Sequence, residues 1–288
     1  EEQLGKPMSD KAKPEKFFDR LRIRSRDIGS WVCVGLDVEV AKIPGFLQPL
    51  KHPQAEFCRR IVEATSDVAL CYKINMAFFE AEGLSGYHSL METFALIPKD
   101  VPVILDAKRA DIGNTSKQYA RACFEEFGAD AVTVNPYLGH DALEPFLEYR
   151  DRGIYVLGLT SNPGAKDFEL LVCDGTPLYE HVARQVARWN TRGNCGLVVG
   201  ATQADSFARL RQLVPELPFL VPGVGAQGGS IEEVVRHGPT HSGIPPVVNS
   251  SRGIIFASSG EDFAQAARTA TINLRDEIRR AIKTAEQN

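Results

Sequence analysis

Val103-Ile104-Leu105-Asp106-Ala107-Lys108-Arg109-Ala110-Asp111-Ile112-Gly113-Asn114-Thr115 begins as a buried strand and ends as the start of a helix. Pro102 precedes it and three large aliphatic residues open it. Asp106 and Lys108 follow, two residues apart. Side chains on a strand alternate faces, so both project from one side while the strand persists. Asp111 comes three residues after Lys108. Gly113, Asn114 and Thr115 supply turn and N-cap chemistry for a helix expected over 116–127. Acid, base and acid at the end of an apolar strand are costly unless they face each other or a ligand. The same spacing also suits a surface salt-bridge cluster, because structural ion pairs occur at strand ends too.

Outward from this stretch the pattern repeats. Apolar runs at 31–36, 68–74, 131–134, 154–159, 195–199, 219–221 and 246–249 read as strands. Helices are expected over 55–65, 77–94, 141–150, 178–190, 203–213 and 261–284, with one more opened by a Ser230/Glu233 capping box. A long loop covers 162–177. Continuously apolar strands alternating with helices imply a parallel sheet covered by helices. Eight such units predict the α/β class and a closed (β/α)8 TIM barrel. A doubly wound open sheet is the alternative. We expect one domain over 1–288, with an N-terminal helical extension at 1–28 and the barrel at 29–288. In the extension, a helix over 14–26 carries Phe17, Phe18 and Leu21 on one side, suited to covering one end of the fold.

The bulk numbers narrow the function. The 288 residues are 43% hydrophobic and 24% charged, an ordinary globular composition, with a formal net charge of −4. No block of basic residues stands out, so nucleic acid is not an expected partner. No apolar run approaches the ~20 residues that span a bilayer, so a membrane is not expected either. The six cysteines, at 33, 58, 71, 123, 173 and 195, form no Cys-x-x-Cys pair and fit buried, reduced thiols of a cytoplasmic protein.

In a barrel the strand C-termini share one rim, where active sites form. Asp37, Lys73, Asp106, Lys108, Ser161, Gln227 and Arg252 all lie at expected strand ends or in the loops that follow them. Singly, Asp37 could be a cap, Lys73 a snorkelling rim lysine and Ser161 a loop hydroxyl. The seventh and eighth strand ends are more specific. Pro222-Gly223-Val224-Gly225-Ala226-Gln227-Gly228-Gly229 lets backbone approach a ligand closely. Ser250-Ser251-Arg252-Gly253 can begin a short helix with free N–H groups, and barrels commonly build phosphate sites there. Without a ligand these are simply glycine-rich turns.

The run from Leu105 to Thr115 strongly resembles the signature of orotidine 5′-monophosphate decarboxylases. The run from Pro222 to Gly229 resembles that family's phosphate loop, Arg252 its phosphate arginine, and Thr160-Ser161-Asn162-Pro163-Gly164-Ala165 its pyrimidine-binding segment. The resemblance spans about residues 30 to 256 and is of the longer, divergent bacterial kind. The spacing before Lys73 and the long loop after Ser161 depart from compact members.

The resemblance implies a decarboxylation of orotidine 5′-monophosphate that uses no metal and no organic cofactor. Asp37 and Lys73 would hold ribose hydroxyls, and Asp106 would face the substrate carboxylate. Lys108 would protonate C6. Asp111 and Thr115 would reach into the neighbouring subunit's site, making a homodimer. Ser161 would bond the pyrimidine edge, and the loop from Pro222, with Gln227 and Arg252, would close over the phosphate. The nearest competitors, 3-hexulose-6-phosphate synthase and 3-keto-L-gulonate-6-phosphate decarboxylase, share a similar third-strand motif and need magnesium. A Schiff-base aldolase or a non-catalytic nucleotide-binding barrel are further alternatives, separable by borohydride trapping and by binding without turnover.

Overall fold

The computed structural model describes residues 16–201, 204–224 and 229–287. Eight parallel strands close into a barrel: β1 (Val32–Leu36), β2 (Cys71–Asn75), β3 (Val103–Arg109), β4 (Ala131–Val134), β5 (Gly153–Leu159), β6 (Cys195–Val199), β7 (Phe219–Pro222) and β8 (Val247–Ser250). Each pairs with its sequence neighbours, and β1 pairs with β8 to complete the circle. The strands lack polar alternation because both faces are covered, one by helices and the other by the barrel interior.

The interior is layered. Cys33, Cys71, Ile104, Ala131, Tyr155, Val198, Leu220 and Val247, one from each strand, form a single apolar cluster. Two residues further along each strand the same face presents Gly35, Lys73, Asp106, Thr133, Leu157, Gly200, Pro222 and Asn249. One step toward the strand C-termini thus changes the interior from an apolar layer to one that carries a lysine, an aspartate, a threonine and an asparagine.

The apolar layer is closed from below by helix Phe17–Ile28, whose Phe17, Phe18 and Leu21 join that cluster. Phe17 and Phe18 meet Tyr155 edge-on at 6.0 and 5.6 Å. The expected end-cover is therefore present. Phe17 is 1% exposed. Replacing it by alanine should cost about 3–5 kcal/mol, the range for removing a buried aromatic ring. Urea unfolding should show a lower midpoint at unchanged slope. A loss under about 1 kcal/mol would mean that the plug contributes little to the barrel.

Several boundaries differ from expectation, for local reasons. The helix expected over 77–94 is two helices, Met76–Glu80 and Gly83–Leu96. They separate at Gly83, which has φ 58, and a Cβ on Gly86 would collide with the Phe79 carbonyl. The helix expected over 116–127 begins at Gly113, and its last part, Ala122–Glu126, widens to a π-helix. Asn114 and Thr115 therefore lie inside the first turn, and Ile112 occupies the cap position without a side-chain bond. The capping box is half made: Ser230 Oγ accepts the Glu233 N–H at 3.2 Å. The loop over 162–177 contains helix Ala165–Phe168 and a minimal hairpin, Val172–Cys173 paired with Thr176–Pro177. Asp174 and Gly175 at its tip have φ 50 and 75, as a tight two-residue turn requires. The helix expected from Gln203 is described from Ala204 to Leu213.

Five cysteines are buried and Cys173 is exposed. Burial pushes the thiols of Cys58, Cys123 and Cys195 up to about 12, which leaves them protonated and inert at neutral pH. Among the described residues no helix is long and apolar enough to cross a membrane.

Candidate active site

The polar layer carries a row of alternating charges. Lys73 and Asp106 are only 4% and 9% exposed, and Lys73 Nζ donates to Asp106 Oδ2 over 2.9 Å. Lys108 Nζ donates to the other oxygen, Oδ1, over 2.7 Å. Asp37, just past β1, places Oδ1 3.7 Å from Lys73 Nζ. The order is Asp37, Lys73, Asp106, Lys108, so each inner charge has opposite neighbours. Burial alone would drive Asp106 toward its neutral acid, but Lys73 and Lys108 outweigh it and hold the carboxyl well below the usual carboxylate range. Burial likewise opposes the Lys73 ammonium, yet Asp106 and Asp37 outweigh it and keep it charged above the ordinary lysine range. The Lys108 side chain is 51% exposed, so its charge is accessible to a ligand.

The strand carrying these groups is bent to present them. β3 pairs regularly with β4 as far as Leu105 and Val132, then resumes only at Arg109 and Val134. Lys108 sits at φ 47, in the left-handed region that lysine rarely enters, at a cost of roughly 1–2 kcal/mol. Thr133 on β4 was not among the expected residues. Its Oγ1 donates to Asp106 Oδ1 at 2.8 Å and accepts the Lys108 N–H at 3.0 Å. The available signal was a hydroxyl at an inward-facing position of an otherwise apolar strand, two residues after Ala131.

Asp111 does not join the row within its own chain. Its Oδ1 accepts the N–H of Ile112 at 2.8 Å, and it makes no ion pair among the described residues. Thr115 is exposed on the first turn of helix Gly113–Arg121.

Across the rim, β7 and β8 converge, with Pro222 beside Asn249. Gly223 follows at φ 88, a backbone conformation that favours glycine. The turn after β8 crosses β1 closely: a Cβ on Gly35 would collide with Ser251 Oγ. Arg252 then opens a short helix, Arg252–Ile255. It is exposed, and its guanidinium has no partner among the described residues. Gln227 lies outside the described residues.

Ser161 follows β5 and is half-buried. A Cβ on Gly200, at the end of β6, would lie 2.8 Å from the Ser161 nitrogen, so glycine is what lets the two strand ends meet. Glu169 from the long loop holds this turn, accepting the Thr160 N–H at 2.7 Å and the Thr160 hydroxyl at 2.8 Å. Sequence reasoning passed over Glu169, because nothing marks one acid among several in a long loop.

Two buried acceptors at the rim, Asp37 Oδ1 and Asn249 Oδ1, have no hydrogen-bond donor among the described residues. Buried acceptors are normally satisfied, so donors from a ligand would be favoured here. No three His, Cys, Asp or Glu side chains among the described residues are grouped to hold a metal ion.

A closed parallel barrel with charged groups converging at its strand C-termini defines the class of (β/α)8-barrel enzymes. Residues 30–269 match the model of the orotidine 5′-phosphate decarboxylase / HUMPS family. The chain belongs to that family. It is 48% identical over 264 residues to the orotidine 5′-phosphate decarboxylase of Azoarcus sp. strain BH72, covering 91% of this chain and 98% of that protein. Among solved structures it is similar to Leishmania donovani OMP decarboxylase, with TM-score 0.80 and 38% identity over 93% of this chain and 98% of that one. It is also similar to Leishmania donovani UMP synthase, with TM-score 0.83 and 40% identity over 94% of this chain, which spans 57% of that protein's length.

Proposed function

We propose that this chain is a carboxy-lyase that converts orotidine 5′-monophosphate to uridine 5′-monophosphate, a step of pyrimidine biosynthesis, in the cytoplasm and without metal or organic cofactor. The observation that carries the reading is the row Asp37, Lys73, Asp106 and Lys108 at the strand C-termini of a chain in this family.

The chemistry follows from the charges. The bond from C6 to the carboxylate breaks, carbon dioxide leaves, and the electron pair stays on C6. A fixed cation beside C6 stabilises that pair, and the Lys108 ammonium then transfers a proton to it. Asp106, held ionised, faces the departing carboxylate and opposes the ground state by like-charge repulsion. Lys73 braces Asp106 and, with the unsatisfied Asp37 oxygen, takes ribose hydroxyls. Ser161 bonds the pyrimidine edge. Pro222, Gln227 and Arg252 grip the phosphate, and binding energy from that remote group offsets the repulsion at the reacting carbon. Asp111 and Thr115 serve the partner's site in a homodimer. The own-chain Asp111 bonding only locally, together with the exposed Ile112 and Tyr137 on loops after the adjacent strands β3 and β4, supports this arrangement.

The direct test is loss of orotidylate absorbance in metal-free buffer containing EDTA. No loss of orotidylate absorbance, with magnesium-dependent turnover of 3-keto-L-gulonate 6-phosphate or hexulose 6-phosphate instead, would point to the phosphosugar branch of the family.

Arg252→Ala should separate phosphate binding from chemistry. Its loss in kcat/KM should correspond to roughly 1.5–3 kcal/mol or more for orotidine 5′-monophosphate, the range for a charged hydrogen bond. The nucleoside orotidine, with no phosphate to hold, should be largely spared. Equal losses for both substrates would make Arg252 structural and move the phosphate site elsewhere.

A further inference from the structure

Between the pairs Leu105–Val132 and Arg109–Val134, β3 has three residues where β4 has one. Such an interruption leaves backbone N–H groups without a strand partner, and an unpaired buried donor is costly. The single opposing residue repairs this with its side chain, since Thr133 Oγ1 accepts the Lys108 N–H at 3.0 Å. The same hydroxyl donates to Asp106 Oδ1 at 2.8 Å. An amide N–H can only donate and an ionised carboxylate can only accept, so the hydroxyl proton lies toward Asp106. Thr133 is 2% exposed, which leaves water little access to either bond.

The consequence reaches both reacting charges. Lys108 is bent to φ 47, and from that conformation its Nζ returns to Asp106 Oδ1. Oδ1 therefore has two donors, Lys108 and Thr133, while Oδ2 has Lys73. The carboxylate cannot rotate without breaking one of these bonds.

We infer that Thr133 is a positioning residue of this site: its hydroxyl fixes the Asp106 carboxylate and the left-handed turn at Lys108, holding acid and base in the geometry in which they act. This rests on the proposed decarboxylation. Oriented charges stabilise a transition state without reorganising during the reaction. Thr133 should thus govern the chemical step and leave nucleotide binding alone.

The test compares Thr133→Val, which keeps the shape and loses the hydroxyl, with Thr133→Ser, which keeps the hydroxyl. The valine variant should lose roughly 10- to 100-fold in kcat, the scale of an ångström of misplacement. Its affinity for uridine monophosphate should stay within about twofold, because the phosphate and ribose contacts are untouched. Serine should recover most of kcat. A crystal structure of the valine variant should show Lys108 out of the left-handed region or its Nζ parted from Asp106. Thr133→Ala serves the same comparisons if the valine chain does not fold. A kcat within about twofold of wild type would overturn the inference. So would serine doing no better than valine, kcat and affinity falling together, or an unmoved Lys108–Asp106 pair. If the unaltered enzyme does not decarboxylate orotidylate, the functional reading falls, and the crystal structure still decides whether Thr133 positions the pair.

Discussion

Replacing Lys108 by alanine is expected to cut turnover by at least about 10⁴-fold, because one side chain supplies both the fixed cation and the proton. The fold should survive. The Lys108 side chain is half exposed, and Asp106 is its ion-pair partner. Asp106 in turn keeps Lys73 and Thr133, so its buried charge is not left alone. Loss of Lys73 or Asp106, each nearly buried between opposite charges, would be worse for stability, since removing one member of a buried ion pair costs about 3–5 kcal/mol. Steady-state decarboxylation measured beside a thermal melt separates the two effects. A melt near wild type with turnover reduced as stated supports Lys108 as the donor. Turnover within about tenfold of wild type would remove it from that role.

The second large effect concerns the partner subunit. Asp111→Ala and Lys108→Ala chains should each be nearly inactive alone, and mixing them should restore activity. In a hybrid dimer one site combines both substitutions, while the other has Lys108 from one chain and Asp111 from the other, both intact. Random exchange of equal amounts makes half the dimers hybrid, each with one working site. Recovery should therefore approach about a quarter of wild-type activity. The motivation is geometric. Asp111 lies three residues beyond Lys108, yet among the described residues of its own chain it bonds only the Ile112 N–H. Subunit exchange proven by mass spectrometry with no recovery would mean that each site is complete within one chain.

The barrel was legible because its signal is local and repeated. A run such as Ile154 to Leu159 is apolar on both faces, and eight such runs alternating with amphipathic helices leave few ways to bury them. The two-residue spacing of Asp106 and Lys108 was equally legible, since strand alternation places both on one face. Strand ends could be listed in order, and a barrel brings strand ends to one rim whatever separates them in sequence. Asp37, Lys73 and Asp106 meet for that reason, although 69 positions divide the first from the last.

What the sequence hid are features that depend on a second strand or a tight approach. The helix over 77–94 read as continuous because periodicity does not register that Gly86 must pass the Phe79 carbonyl. Nothing in the sequence marks Gly35 or Gly200 as a point of close approach, yet the structure sets Ser251 and Ser161 against them.

The sequence alone was enough for the closed barrel, the rim as the expected place of chemistry, and the charged residues that gather there. Those follow from hydrophobic period and strand parity, which each segment carries within itself. Only the tertiary structure decided how the charges are held. It broke the β3–β4 ladder, put Lys108 into a left-handed turn, and set Thr133 opposite the gap. A pairing register belongs to two strands at once, and no single segment of sequence records which residue will face the one left over.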